Sequence, residues 1–379
     1  MHKIITIVIP CLNEEKVIGD VIKDCWIGLK NDKRHQILIM DSGNDKSGEI
    51  ARSLGADVVR APKKGLGQAY IDSILHIRGD YVFMGDADGT YDFKEIDGFV
   101  KKLDQGYEFV MGTRMKGWIE EGAMPNLHRY FGTPLTTWIL NKLFGLKFSD
   151  IHCGLRAMTK EALIKINILS TSWEYASEMV VKSGLLKLKK SEVPIHFYKD
   201  KKGRVSHHRR SGWFSPWYAG WINLKIMLLY APNFVFFVPG FIALVLGAGF
   251  IISNLFGLVS NFRYHSTLLG FVLIQIGYMT IQLGIISKLF SDLEKYYKKG
   301  FLIVFDKKFS YDKGMVLGGL MALSGFLMSF YFLSQWVEND FSLISISSYG
   351  ILGMLLLMLG FQTIFFTFIY EIFRVSKKK

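Results

Sequence analysis

The rhythm of apolar and polar positions changes near residue 230. Before it, short β-branched runs alternate with stretches whose apolar residues recur every three or four positions. After it, long segments carry no charge. Lys3-Ile4-Ile5-Thr6-Ile7-Val8-Ile9 suits a strand buried on both faces and ended by Pro10, and residues 14–29 predict an amphipathic helix. The unit then repeats, with strands predicted at 35–41, 57–60, 81–84 and 108–112 and helices at 46–54, 67–78 and 92–103. This alternation predicts a Rossmann-like α/β head whose mainly parallel sheet is covered by helices on both faces.

Beyond the head, residues 226–262, 266–287, 315–337 and 341–370 contain no charged side chain. A helix rising about 1.5 Å per residue needs about 20 apolar residues to cross roughly 30 Å of hydrocarbon. Four spans are therefore expected near 234–256, 267–288, 315–336 and 349–371, in a transmembrane domain over 233–373 with a basic tail at 374–379. Lys and Arg crowd the segments before the first span, between the second and third, and after the fourth, whereas the other two connections offer only Arg263. The positive-inside rule then places the head and both termini in the cytoplasm. Trp213, Trp217 and Trp221 share one helical face and predict an interfacial helix or linker over 211–232, an ordinary packed aromatic cluster being the alternative. Residues 1–10 have too short an apolar run for a signal peptide, so residues 1–210 are expected as a cytoplasmic domain.

Composition adds constraint. Half of the 379 residues are hydrophobic, and the formal net charge is +13. Much of that charge lies beside the spans, where attraction to anionic lipid is worth about 1 kcal/mol per basic residue, so nucleic acid is not needed to explain it. Cys11, Cys25 and Cys153 are odd in number and widely spaced, which suggests neither a disulfide framework nor a zinc site.

Ligands of parallel α/β sheets gather at the carboxyl ends of the strands. Those ends carry Pro10-Cys11-Leu12-Asn13-Glu14-Glu15, Asp41-Ser42-Gly43-Asn44-Asp45, Gly85-Asp86-Ala87-Asp88-Gly89 and Gly112-Thr113-Arg114. Asp86 and Asp88, two apart, would share a face of an extended strand and converge on one hard cation, Mg2+ or Mn2+. The bland alternatives are a turn with two solvated carboxylates and, for Glu14 and Glu15, a helix N-terminus. Lys63-Lys64-Gly65-Leu66-Gly67 opens a helix with glycines that would let backbone approach a phosphate, though it is not a Walker loop. His207-His208-Arg209-Arg210 reads as lipid-headgroup contacts rather than a metal site. Glu178, one helical turn after Glu174, is either a positioning carboxylate or a salt-bridge partner.

Together with Asp150-Ile151-His152-Cys153-Gly154-Leu155-Arg156 and Glu192-Val193-Pro194-Ile195, these motifs resemble glycosyltransferase family 2, specifically the polyprenyl-phosphate glycosyltransferases akin to dolichyl-phosphate mannose and glucose synthases. The resemblance covers residues 4–210. It implies a GT-A-type head and inverting transfer of a hexose from a UDP- or GDP-linked sugar to a polyprenyl or dolichyl phosphate, in glycan or cell-envelope assembly. By similarity, Pro10, Leu12, Asn13, Glu14, Asp41, Gly65, Gly67, Lys202 and Arg204 would hold the donor nucleotide. Asp86 and Asp88 would hold the metal and, with Arg114, do the catalytic work, while Arg114, Arg129, Thr133 and Arg156 would face the acceptor phosphate. Ser42 and Thr90 depart from the family pattern and leave base and metal preference open. The expected partners are a nucleotide-sugar donor, the lipid acceptor and membrane lipids, with oligomeric state open between one copy and a homo-oligomer. The alternatives are a transferase for another lipid, a processive polysaccharide synthase, which should carry a Gln-x-x-Arg-Trp motif that is absent here, and a non-catalytic membrane scaffold, against which the intact aspartate pair argues.

Overall fold

The computed structural model describes residues 3–61, 63–201, 215–256, 263–290, 305, 308–340 and 348–376. They fall into two units, Met1–Tyr230 and Ala231–Lys379.

The first unit begins with β1 (Ile5–Cys11), α1 (Ile18–Gly28), β2 (Gln36–Asp41), α2 (Ser47–Ser53), β3 (Asp57–Arg60), α3 (Leu66–Ser73), β4 (Tyr81–Met84) and α4 (Ile96–Asp104). It continues through β5 (Phe109–Ile119), α5 (Thr133–Phe144), β6 (Arg156–Thr159), α6 (Lys160–Ile166), α7 (Tyr175–Leu185), β7 (Lys190–Phe197) and α8 (Ser215–Leu229). The strands form one seven-stranded sheet in the order β3-β2-β1-β4-β6-β5-β7. Every pairing is parallel except those of β6, which runs antiparallel to both β4 and β5. The central strands β1, β2 and β4 are buried almost throughout, as their continuous β-branched and apolar runs require. Phe83 of β4 meets Phe99 of α4 edge-on with ring centroids 5.7 Å apart, and burying a side chain of this size contributes about 1.5–3 kcal/mol.

Within the 211–232 stretch expected as an interfacial helix or linker, α8 spans Ser215–Leu229. Asn223 and Met227, one turn apart, are buried, and Trp221 and Leu229 are exposed. Trp213 lies outside the described residues, as do Lys202, Arg204 and the 207–210 stretch.

The second unit holds α9 (Val238–Leu255, preceded by a π-helical turn at Asn233–Phe237), α10 (Arg263–Phe290), α11 (Tyr311–Glu338) and α12 (Ser348–Ser376). Among the described residues four stretches are long and apolar enough to cross a membrane: Asn233–Asn254, His265–Leu289, Tyr311–Glu338 and Gly350–Ser376. Small residues let these helices approach in pairs. A Cβ on Gly247 would stand 2.7 Å from the Gly270 carbonyl oxygen, and one on Gly325 would stand 2.2 Å from the Leu357 nitrogen. Gln275 Nε2 donates to Gln362 Oε1 at 2.8 Å, and the Tyr278 and Thr363 hydroxyls bond at 2.6 Å, so α10 and α12 also meet through polar groups.

Gly325→Ala must therefore push α11 and α12 apart. Its thermal unfolding in detergent should show a loss of about 1–3 kcal/mol. Gly319→Ala, whose Cβ would meet nothing within 4 Å, should unfold like the parent.

Candidate functional site

The loops after β1 and β2 are laced together. Ser42 N–H donates to the Cys11 carbonyl at 2.9 Å, Asn44 N–H to Asn13 Oδ1 at 2.8 Å, Glu14 N–H to Ser47 Oγ at 2.9 Å and Glu15 N–H to Asp45 Oδ2 at 3.0 Å. Asn13 sits at φ 58°, a left-handed conformation that asparagine tolerates better than most residues. Asp41, buried at the end of β2, accepts from Gly43 N–H at 2.9 Å and pairs with Arg60 at 3.4 Å. Arg60 also donates to the Gly43 carbonyl and to Asn44 Oδ1, so a residue that no motif marked ties the whole loop to Asp41. Burial pushes the Cys11 thiol up to about 12, which keeps it protonated beside these carboxylates.

Strand β4 ends at Met84, so Asp86 and Asp88 lie in a turn rather than on one face of an extended strand. The turn is closed by Asp88 Oδ1, which accepts from Thr90 N–H at 3.0 Å and from the Thr90 hydroxyl at 2.6 Å. Gly89, at φ 74°, completes it. A Cβ on Gly154 would stand 2.6 Å from Asp86 Oδ2, so this carboxylate rests against the segment leading into β6. Gly154 N–H in turn donates to Tyr91 Oη at 2.7 Å. A Cβ on Gly89 would stand 3.6 Å from the Lys201 side chain, whose ammonium bonds Asp20 at 2.6 Å, so the start of the basic 201–204 stretch lies beside the aspartate turn. No group of three or more His, Cys, Asp and Glu with metal-binding geometry occurs among the described residues. A pair of hard oxygen donors completed by waters and substrate phosphates is how Mg2+ or Mn2+ is commonly held, and Asp86 and Asp88 fit that donor chemistry.

Gly65 and Gly67 do allow a close backbone approach, but it is to the chain itself. Cβ atoms there would stand 2.4 Å from the Thr171 carbonyl oxygen and 2.1 Å from that of Ser170. Gln68 N–H donates to Thr171 O at 2.9 Å. The 169–171 segment is held by Glu178, fully buried, which accepts from Leu169 N–H at 3.1 Å and from Ser170 N–H at 2.8 Å while pairing with Lys182 at 2.5 Å. Burial opposes its charge, but the Lys182 ammonium and the Ser170 donors hold its pKa below the usual glutamate value. Glu178 is thus a salt-bridge partner that also holds the backbone of residues 169 and 170.

The arginines divide. Arg114 is buried and forms a two-bond fork with Asp150, Nε to Oδ2 at 2.7 Å and Nη2 to Oδ1 at 2.9 Å, with its guanidinium 5.1 Å from the Phe197 ring centre. Burial alone would lift the Asp150 carboxyl, yet Arg114 holds it below the ordinary aspartate value. Arg156 is fully buried in β6, donating to the Cys153 carbonyl at 2.6 Å and to the Ala176 carbonyl at 3.1 Å. A reading of Arg156 as an acceptor contact has no surface to act through. Arg129 lies in the π-helical turn His128–Gly132 and is partly exposed, with Tyr130 5.5 Å away, whereas Thr133 is buried at the start of α5. His152 bonds Thr136 Oγ1 at 2.8 Å, and burial lowers its pKa to about 4, so it stays neutral near pH 7.

The family model described as glycosyl transferase family 2 matches residues 6–166. The low-salt glycan biosynthesis hexosyltransferase Agl6 of Haloferax volcanii is 30% identical over 370 residues, covering 96% of this chain and 88% of that protein. The chain belongs to glycosyltransferase family 2. A second model, the glycosyltransferase family 2 C-terminal transmembrane region, matches residues 285–374. The dolichyl-phosphate hexose transferase of the same organism is 29% identical over 203 residues, 53% of this chain and 85% of that protein. Among solved structures, the glucosyl-3-phosphoglycerate synthase from Mycobacterium tuberculosis aligns with a TM-score of 0.46 at 19% identity, covering 60% of this chain and 79% of that one. This glycosyltransferase is thus a membrane protein with a GT-A-type head and an α-helical transmembrane region.

Removing the Asp150 charge strands Arg114 in the core. Asp150→Asn should destabilise the head by about 3–5 kcal/mol, as measured by chemical unfolding. An unfolded aspartate titrates near about 3.9 and Asp150 titrates lower when folded, so its contribution is complete above about pH 4–5 and is lost as pH falls through the depressed folded value. The parent's acid limb should therefore be steeper than the variant's.

Proposed function

We propose that this glycosyltransferase moves a hexose from a UDP- or GDP-linked donor onto a polyprenyl phosphate at the cytoplasmic membrane face, with inversion at the anomeric carbon. The observation that carries the reading is a single element of the head. From the turn at Arg129 into α5, Leu127, Tyr130, Phe131, Leu135 and Trp138 are exposed, Tyr130 at 71% and Trp138 at 61%, while Thr133, Thr137 and Leu140 face inward. An apolar stripe of this kind, with a basic residue in its first turn, suits the boundary of a bilayer. A soluble acceptor would not need it. The similarity to the dolichyl-phosphate hexose transferase of Haloferax volcanii supports the same acceptor.

On this reading Pro10, Leu12, Asn13, Glu14 and Asp41, fixed by Arg60, hold the nucleotide. Asp86 and Asp88 would hold a divalent cation with the donor diphosphate, and when bound the ion neutralises charge on the departing nucleoside diphosphate. Lys201 extends over the same turn, and Lys202 and Arg204 follow it in the chain. Arg129 takes the acceptor phosphate. One phosphate oxygen attacks the anomeric carbon as the bond to the diphosphate breaks. That oxygen is already anionic near neutral pH, the second pKa of a monoester being about 6, so a strong general base is dispensable. Arg114, clamped by Asp150, fixes the segment that enters β6 beside the aspartate turn. The excess of Lys and Arg beside alternate connections favours a topology with the head and both ends of the chain in the cytoplasm.

Purified enzyme in detergent, offered a panel of UDP- and GDP-sugars with a polyprenyl phosphate, should glycosylate the lipid phosphate. Turnover with soluble alcohols or growing glycans in its place would overturn the acceptor assignment. Asp88→Ala should lower kcat by about 100-fold or more. Arg129→Ala should cost about 10- to 100-fold in kcat/KM for the lipid, the value of one charge-assisted contact, with little change in nucleotide affinity.

A further inference from the structure

The head holds a buried polar cluster outside the proposed substrate contacts. Besides Lys182 and the amides of Leu169 and Ser170, the Glu178 carboxylate accepts from the Tyr230 hydroxyl at 3.2 Å, immediately beyond the end of α8. One residue earlier in α7, the Ser177 hydroxyl donates to Asn223 Oδ1 of α8 at 2.6 Å. Lys182 also donates to the Asn167 carbonyl at 2.6 Å, closing the base of the same loop. On the far side of this cluster, the Ser170 and Thr171 carbonyls seat Gly67 and Gly65, and Tyr70 of α3 donates to the carbonyl of Gly85, the residue before Asp86, at 3.2 Å.

A fully buried carboxylate stays in place only while its donors hold it, and each bond of such a network depends on the others. We infer that Glu178 is a positioning residue tying α8, the last helix of the head, to the glycine turn at the start of α3 and through Tyr70 to the aspartate turn. Displacing α8 then loosens the donor side of the site. The inference rests on the donor reading only for what the aspartate turn binds. The tie itself is a matter of α8, the 169–171 loop and α3.

The Ser177→Ala/Tyr230→Phe variant releases α8 while leaving Lys182 and both amides on Glu178. Full-length protein in detergent would be compared by hydrogen exchange over residues 65–73 and 167–172, and by direct binding of UDP and GDP. Tyr81→Phe, which deletes a tyrosine-carboxylate bond of 2.9 Å to Asp104 elsewhere, is the control. Exchange in both segments should accelerate about 3- to 10-fold and nucleotide affinity should fall by a similar factor, with peptides of β1 unchanged. Unchanged exchange in the two segments overturns the tie, and so does equal acceleration in Tyr81→Phe, which would mean general loosening. If the double variant does not fold, Tyr230→Phe alone carries the same comparison. A parent protein that binds neither nucleotide overturns the donor reading, and exchange then decides the tie by itself.

Discussion

Strand β6 runs antiparallel between β4 and β5, so the segment that enters it, rather than the one that leaves it, arrives at the carboxyl ends of the parallel strands. That reversal sets Gly154 against Asp86 and Asp150 against Arg114. In an all-parallel sheet the residues before a strand would lie at the opposite edge, about 13 Å away for a strand of four residues at roughly 3.3 Å each. The aspartate turn, the clamped arginine and the half-buried His152 are near one another because of this strand direction. Its hold on the sheet is reinforced at the turn by the bond from Gly112 N–H to the Leu155 carbonyl at 2.9 Å.

Strands β1, β2 and β4 were legible because they are buried on both faces and therefore written as unbroken apolar runs, as in Ile37-Leu38-Ile39-Met40, whereas β7, parallel but only half-buried, was not predicted. Strand β6 was not legible for the opposite reason. It is four residues long, opens with Arg156 and closes with Thr159, and only the fold reveals that this arginine is fully buried. The membrane helices were readable to within a few residues over their apolar centres. They overrun their predicted bounds where polar ends remain helical, as at Tyr311 and Asp312 behind the Ser310 cap, whose hydroxyl accepts from Lys313 N–H.

The site was legible in its residue types and less so in their duties. Arginine in a motif suggests a phosphate contact, because its fork fits one. Here Arg114 forks onto Asp150, Arg156 onto two carbonyls, and Arg60 onto the Asp41 loop, so three of the head's arginines fix backbone or carboxylates of the chain itself. The glycines of the 65–67 turn follow the same pattern, since a glycine records only that something comes close. Spacing cannot say whether that partner is a ligand or residues 170–171, because the contact joins segments about a hundred positions apart.

The division among the arginines also bears on why the head carries an apolar stripe. The buried cations Arg114 and Lys182 are already balanced by Asp150 and Glu178, and desolvating such pairs leaves little net attraction for a further anion. On the proposed reading, capture of a phosphate then falls to basic groups with access to solvent, among which Arg129 sits in the first turn of the stripe of Tyr130, Phe131, Leu135 and Trp138. In water such a stripe is a standing liability, since exposed contiguous apolar surface invites association. Against a bilayer the same residues bury their faces while the guanidinium stays at headgroup level, as long basic side chains do at interfaces. Four apolar helices in the same chain keep the head at a bilayer continuously, so the stripe can be kept without the solubility cost it would carry in a free domain.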